Sequence, residues 1–225
     1  MDRRYRLLAL VDLAVLGAWL AGPFLAAGSW AWRGAWAYLA LTLAGAAAQS
    51  AYARRKNPAL AQRRRRIGEG TPRWDLAWNL FFWPLMASAP VAAGLGVRHG
   101  AAAAPWWTWP LGAALFAAAM AASAWAMASN PHFEGTVRIQ REVGHRVIEG
   151  GPYRRVRHPG YLGLILWAAS APLLLRSAWA LPSAAATCAF VVLRTALEDA
   201  FLRRELPGYA DYASRTRFRL LPGLW

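Results

Sequence analysis

Cysteine, acid and charge in general are scarce in this sequence. Cys188 is its one cysteine and lies in the middle of an apolar segment. An intrachain disulfide and a cysteine-based zinc site are thereby excluded, and the thiol reads as a small core hydrophobe. Only 16% of the 225 residues are charged, with 11 Asp and Glu against 26 Lys and Arg. So few charges cannot coat a soluble globule of this size. Several catalytic patterns are missing as well. No Ser stands in a nucleophile elbow, and His132, His145 and His158 lack a helical metal-ligand spacing. Gly94, Gly96 and Gly100 end an apolar run without the strand–helix–strand setting that a dinucleotide fingerprint needs. Hydrolase, metalloenzyme and Rossmann readings fall away together.

What the chain has in abundance is apolar and aromatic surface: 57% hydrophobic residues and 14 Trp. A helix of about 20 apolar residues crosses a bilayer core. Leu7–Ala27, Trp30–Ala53, Leu76–Val97 and Trp106–Ser129 have that length, while Tyr161–Leu175 and Trp179–Leu193 are shorter and read as a tight hairpin bounded at Pro172 and Pro182. The expectation is an all-α polytopic transmembrane bundle of five to six spans. The first apolar run lacks a small-residue cleavage site, so it is read as a retained span rather than a signal peptide. The bundle divides into transmembrane helices over 1–129 and a chemistry-bearing core over 130–225.

The net charge of +15 could point to nucleic acid, yet the basic residues alternate with long apolar segments and no recognition motif accompanies them. Topology accounts for the charge better. With the N-terminus inside, only Arg33, Arg98 and Arg176 fall in outer loops, and the other 23 of 26 basic residues lie on one side. That bias places both termini in the cytoplasm. Trp30, Trp32, Trp36, Trp106, Trp107, Trp109 and Trp179 read as an interfacial belt, and Arg63–Arg66 as a contact for anionic headgroups.

Two clusters carry candidate chemistry. Gly151-Pro152-Tyr153-Arg154-Arg155-Val156-Arg157-His158-Pro159-Gly160-Tyr161-Leu162-Gly163 stands before one apolar span, and Glu198-Asp199 follows the next. Charge of both signs beside a bilayer is costly and points to a ligand. Pro159 disfavours helix at His158, which puts the imidazole on a turn ahead of a helix whose first amides can hold an anion. Gly160 and Gly163 let a ligand or a neighbouring helix come close. Arg194 and Glu198, four apart, share a helix face, and an exposed ion-pair ladder is the alternative there. Leu206-Pro207-Gly208-Tyr209 is a helix stop.

Asn130-Pro131-His132-Phe133, Val137-Arg138-Ile139-Gln140, Gly144-His145, the Gly151–Gly163 run, Arg194, Glu198-Asp199, Leu202, Glu205-Leu206, Tyr209, Tyr212 and Arg219-Leu220-Leu221-Pro222 together resemble the isoprenylcysteine carboxyl methyltransferase family. Phospholipid methyltransferases share a similar core. The resemblance implies an integral membrane enzyme of helices alone that uses S-adenosylmethionine, with the cofactor site formed by C-terminal helices and loops at the cytoplasmic face. It assigns Arg157, His158, Pro159, Tyr161 and Gly163 to one part of that site and Glu198 and Asp199 to the other. Many relatives have two glutamates there. Arg194 matches an arginine near the active centre, and His158 and Glu198 join it as catalytic candidates. The expected partners are a lipid or lipidated substrate and the bilayer itself, with no metal and no nucleic acid.

A cofactor carrying a sulfonium, an ammonium and a carboxylate suits a site of both signs. A carboxylate acceptor is already ionised near neutral pH and needs no general base. An amine acceptor would need one, from His158 or Glu198. Rival readings are a phospholipid N-methyltransferase, an NADPH-dependent membrane reductase and a non-enzymatic membrane scaffold. The Ala-, Arg- and Trp-rich composition hints at a prokaryotic plasma membrane.

Overall fold

The structure is a computed structural model that describes residues 3–58 and 70–225, with side chains from Leu13 onward. The Arg63–Arg66 run and the side chain of Asp12 lie outside the described residues. Six long helices follow one another: α1 Arg3–Ala27, α2 Arg33–Lys56, α3 Arg73–Arg98, α4 Thr108–Ser129, α5 Pro159–Leu174 and α6 Leu181–Glu205. A short α7, Tyr209–Arg215, and three 3₁₀ turns complete the elements, and no strand occurs among the described residues. This is a polytopic membrane helical bundle. Among the described residues, three helical stretches are long and apolar enough to cross a bilayer: Arg73–Arg98, Thr108–Ser129 and Ala178–Glu205. Leu13–Ala27 and Pro159–Leu174 are apolar but shorter. Leu80, Phe81, Leu193 and Leu197 are exposed on the outer faces of α3 and α6, a surface suited to lipid rather than water.

Long-range hydrogen bonds fix the direction of each helix. At one end, the Asn57 side chain just beyond α2 donates to the carbonyls of Met127 and Asn130 at the close of α4. There Asp75, in the first turn of α3, meets Arg194 on α6. At the other end, Arg98 donates to the Leu25 carbonyl (2.9 Å) and Arg176 to the Ala104 carbonyl (2.7 Å). Successive helices therefore run up and down. The three basic residues assigned to outer loops, Arg33, Arg98 and Arg176, share the end away from Asp75 and Arg194.

The closest pair is α4 against α5, and a glycine explains it. A Cβ on Gly163 would strike Ser123 Oγ and come within 2.9 Å of the Ala119 carbonyl. Only a missing side chain allows that approach, and Ala119 is fully buried beneath it. One apolar cluster joins Phe24, Tyr38, Phe116 and Leu174 near the distal end. A second joins Trp78, Phe82 and Met86 of α3 to Ala168 and Val191. That second cluster forms the floor on which the polar residues of the opposite end stand.

The helices match the expected spans closely, although Pro172, read as a break, lies inside α5. The last apolar run ends at Leu193, and α6 continues to Glu205, where the expected stop at Leu206 caps it. Arg194, Thr195 and Asp199 are buried in this extension. The charges of Arg194 and Asp199 interrupt the apolar pattern without interrupting the helix, because both turn inward onto partners from other segments, Asp75 and Arg157.

Candidate functional site

Pro159 is the first residue of α5, and His158 before it adopts a non-helical φ of −127°. The imidazole is thus set on the entry to α5, with the Tyr161 and Leu162 amides donating to the His158 carbonyl. The turn is tied from the far side by residues after α7: the Arg157 amide donates to the Phe218 carbonyl and the His158 amide to the Arg219 carbonyl, both at 2.9 Å.

Beside this turn lies a cavity of about 410 Å³, lined from α3, α5, α6, α7 and the 130–148 loop. That size is typical of a small-molecule site. Of the residues singled out from sequence, Arg157, His158, Tyr161, Arg194 and Glu198 line it. Pro159, Gly163 and Asp199 are not among the lining residues. Pro159 starts the helix, and Gly163 admits α4.

Of the adjacent acids Glu198 and Asp199, Glu198 reaches the cavity. One carboxylate oxygen accepts from the Tyr161 hydroxyl, and the other lies 3.9 Å from His158 Nδ1. The His158 and Tyr161 rings stack with centroids 5.7 Å apart. Asp199, next in sequence, turns the other way and is fully buried. Its carboxylate accepts from Arg157 (2.7 and 3.1 Å), Arg203 (3.1 Å), Arg219 (3.1 Å) and the Tyr209 hydroxyl (3.0 Å). His158 Nε2 is 3.3 Å away. Burial first, then the Asp199 charge, pushes the Tyr209 phenol well above its ordinary pKa, so it stays a donor. Adjacent acids thus have opposite surroundings: Glu198 looks into the cavity, and Asp199 binds the cations behind it.

Arg194 does not pair with Glu198 in an exposed ladder. Its Nη2 lies 2.8 Å from Asp75 Oδ1 and donates to the Gly135 carbonyl at 2.9 Å. The guanidinium carbon stands 3.8 Å from the Trp78 ring centroid, close enough for cation–π attraction. Its Nε is buried with no hydrogen-bond partner. Asp75 and Trp78 were not singled out from sequence. The one available signal was an acid at the mouth of an apolar span, where charges are ordinary.

The 130–148 loop forms the remaining wall. The guanidinium of Arg138 binds the Glu134 carboxylate through two nitrogens (2.7 and 2.9 Å). The rings of His132 and His145 lie 4.5 Å apart. Burial, and then the neighbouring His132, lower the His145 pKa to about 4, so this ring is neutral near pH 7 and can accept from the Gln140 amide. Among the described residues no cluster of His, Cys, Asp and Glu could hold a metal ion.

Comparison with known proteins bears on the segment that builds most of this site. Residues 111–204 match the model of the Isoprenylcysteine carboxyl methyltransferase family. Two probable protein-S-isoprenylcysteine O-methyltransferases, from Oryza sativa subsp. indica and subsp. japonica, are each 42% identical to this chain over 43 residues. That stretch is 19% of this chain and 22% of either relative, so the match spans about a fifth of their length.

Proposed function

Taking the isoprenylcysteine carboxyl methyltransferase pattern over residues 111–204 as the premise, we propose that this chain is an S-adenosylmethionine-dependent membrane methyltransferase. Its acceptor is a lipophilic molecule that ends in a carboxylate, of the S-isoprenylcysteine type. The observation that carries the acceptor class is Arg194: a buried guanidinium at the cavity wall whose contacts with Asp75 and the Gly135 carbonyl both fall on Nη2. A fixed cation at the wall of an apolar cavity favours an anionic acceptor.

The lining fits S-adenosylmethionine in charge and in surface. Glu198 offers a carboxylate to an ammonium, Tyr161, Tyr209 and Trp78 offer aromatic surface to a sulfonium, and His158 offers a ring nitrogen to a polar group. When bound, the cofactor supplies an electrophilic methyl group. The residues' own work is then alignment and exclusion of water. An ionised carboxylate needs no proton removed, so a buried cation that orients it and a floor of Trp78, Phe82 and Leu164 that keeps water out suffice. Asp199 acts behind the lining, holding Arg157 and Tyr209 against His158.

The cofactor assignment is tested by titrating the purified protein in detergent with S-adenosylmethionine and, separately, with NADPH. S-adenosylmethionine should bind, and NADPH should not. Glu198→Gln keeps shape but loses a charge-assisted hydrogen bond worth roughly 1.5–3 kcal/mol, so affinity should fall about ten- to a hundredfold. An unchanged dissociation constant would remove Glu198 from the cofactor site. Binding of NADPH alone would overturn the methyltransferase reading.

The same reading puts the site at the cytoplasmic face, in a prokaryotic plasma membrane, with both termini inside. The sidedness follows from the 23 of 26 basic residues assigned to one side. Reporter fusions after Asn57 and after Trp225 should both score cytoplasmic. An external score for either would reverse the orientation.

A further inference from the structure

We propose that Asp75, in the first turn of α3 and outside the segment that carries the family pattern, is the residue that positions Arg194 and the cavity wall for the reaction. The methyltransferase reading supplies the rate by which this is measured. The placement itself rests on geometry alone.

Asp75 is fully buried; its Oδ2 accepts a hydrogen bond, and its Oδ1 makes none but stands in ion-pair contact with Arg194. Oδ1 lies 2.8 Å from Arg194 Nη2 on α6, and Oδ2 accepts the Val137 amide at 2.7 Å. Arg194 Nη2 donates in turn to the carbonyl of Gly135, two residues earlier in the same loop. One carboxylate therefore ties three segments together: α3, α6 and the 135–137 strip of the wall. Trp78, one turn further along α3, lies under the guanidinium, and its own indole N–H donates to the Phe190 carbonyl on α6 at 3.3 Å. With Nη2 committed and the guanidinium plane set against the indole, the direction of the unpartnered Nε is fixed.

A buried carboxylate at this place costs desolvation, and apolar packing could join α3 to α6 without it. What a carboxylate adds is orientation. It holds Nη2 of the guanidinium by an ion pair, neutralises its charge in the absence of an acceptor, and sets the loop register by holding one amide. Asp75 has no place among the cavity-lining residues. It therefore acts through Arg194 and is a positioning residue rather than a catalytic one.

Asp75→Asn is the discriminating change. The amide oxygen can still accept from Val137, but its NH₂ then faces the Arg194 guanidinium, donor against donor. The experiment compares the full-length wild type, Asp75→Asn, Arg194→Gln and the double variant, using radiolabelled S-adenosylmethionine and S-farnesylcysteine as acceptor. In Asp75→Asn, kcat/KM should fall roughly ten- to a hundredfold, while the dissociation constant for S-adenosylmethionine, set at Glu198, stays within about threefold. Because Asp75 works through Arg194, the double variant should lose no more than Arg194→Gln alone, whereas independent roles would multiply the losses. Multiplied losses, or an Asp75→Asn rate within about threefold of wild type, would overturn the proposal.

Limited trypsin digestion of Asp75→Ala supplies a readout that needs no activity. Cleavage at Arg138, Arg141 and Arg146, in the loop that Asp75 holds, should accelerate, while cleavage at Arg203 and Arg204 should not. Unchanged cleavage in the loop, or equal acceleration everywhere, would show that Asp75 is no local clamp. If the wild type transfers no methyl group but the loop loosens as described, the positioning role stands and the methyltransferase reading falls.

Discussion

Replacing Arg194 with Gln is expected to lower kcat/KM for methyl transfer about a hundred- to a thousandfold. The guanidinium combines a fixed charge, a buried position at the cavity wall and an Nε without a partner. Truncating one partner of a buried, hydrogen-bonded charge pair costs roughly 2–5 kcal/mol, and each 1.36 kcal/mol on a barrier is about tenfold in rate. Gln retains a donor for the Gly135 carbonyl, so the loop should keep its place. It leaves Asp75 buried without a counter-charge, so melting should be recorded alongside the rate. The result to expect is a large loss of turnover with S-adenosylmethionine affinity within about threefold of wild type. Turnover within tenfold of wild type would mean that Arg194 is a structural ion-pair partner and that the acceptor carboxylate is recognised elsewhere.

Asp199→Ala should act on the fold rather than on the chemistry. The carboxylate faces three arginines of different exposure. The Arg157 side chain is 3% exposed, whereas Arg203 and Arg219 are 42% and 31% exposed. Without Asp199 the latter two can turn to water, but Arg157 is left with only the carbonyls of Thr216 and Arg217. An uncompensated buried charge costs roughly 3–5 kcal/mol, which for a chain of this size lowers the melting temperature by about 6–20 °C. Arg203→Ala removes an exposed partner and should change stability by no more than about 1 kcal/mol. Thermal unfolding of both variants in the same detergent, followed by tryptophan fluorescence, checks the contrast. Equal melting temperatures would mean that Asp199 is not the anchor of the His158 turn.

Most of the bundle was legible in the sequence because the physics that forms it is local. Long apolar runs bounded by Trp, Arg and Pro form helices, and the six long helices described coincide with such runs to within a few residues, with α6 continuing past its apolar run to the expected stop at Leu206. The alternative of an exposed Arg194–Glu198 ladder fails for a tertiary reason. Arg194 and Glu198 are four apart and of opposite sign, which suggests a pair along one helix face. In the fold Arg194 instead pairs with Asp75, from a distant part of the chain, and Glu198 accepts from Tyr161. Local spacing cannot see a partner that only tertiary packing supplies.

The acidic pair teaches the same lesson more finely. Glu198 and Asp199 looked equivalent in sequence, as two halves of one cofactor contact. Adjacent residues on a helix point about 100° apart. Glu198 is at the cavity and Asp199 is behind it. Which of the two faced which way depended on where α5 and the segment after α7 came to lie, and neither position is written in the pair itself.

The hydrogen bonds from Arg157 and His158 to the carbonyls of Phe218 and Arg219 have a consequence for biosynthesis. Residues 216–219 leave the ribosome after helices α1 to α6 have been made. The bundle can insert and pack first, but the turn bearing His158 has no fixed conformation until that late segment folds back onto it. Ligand competence thus waits for that segment, and a chain truncated before Phe218 should be inserted and helical but not able to bind.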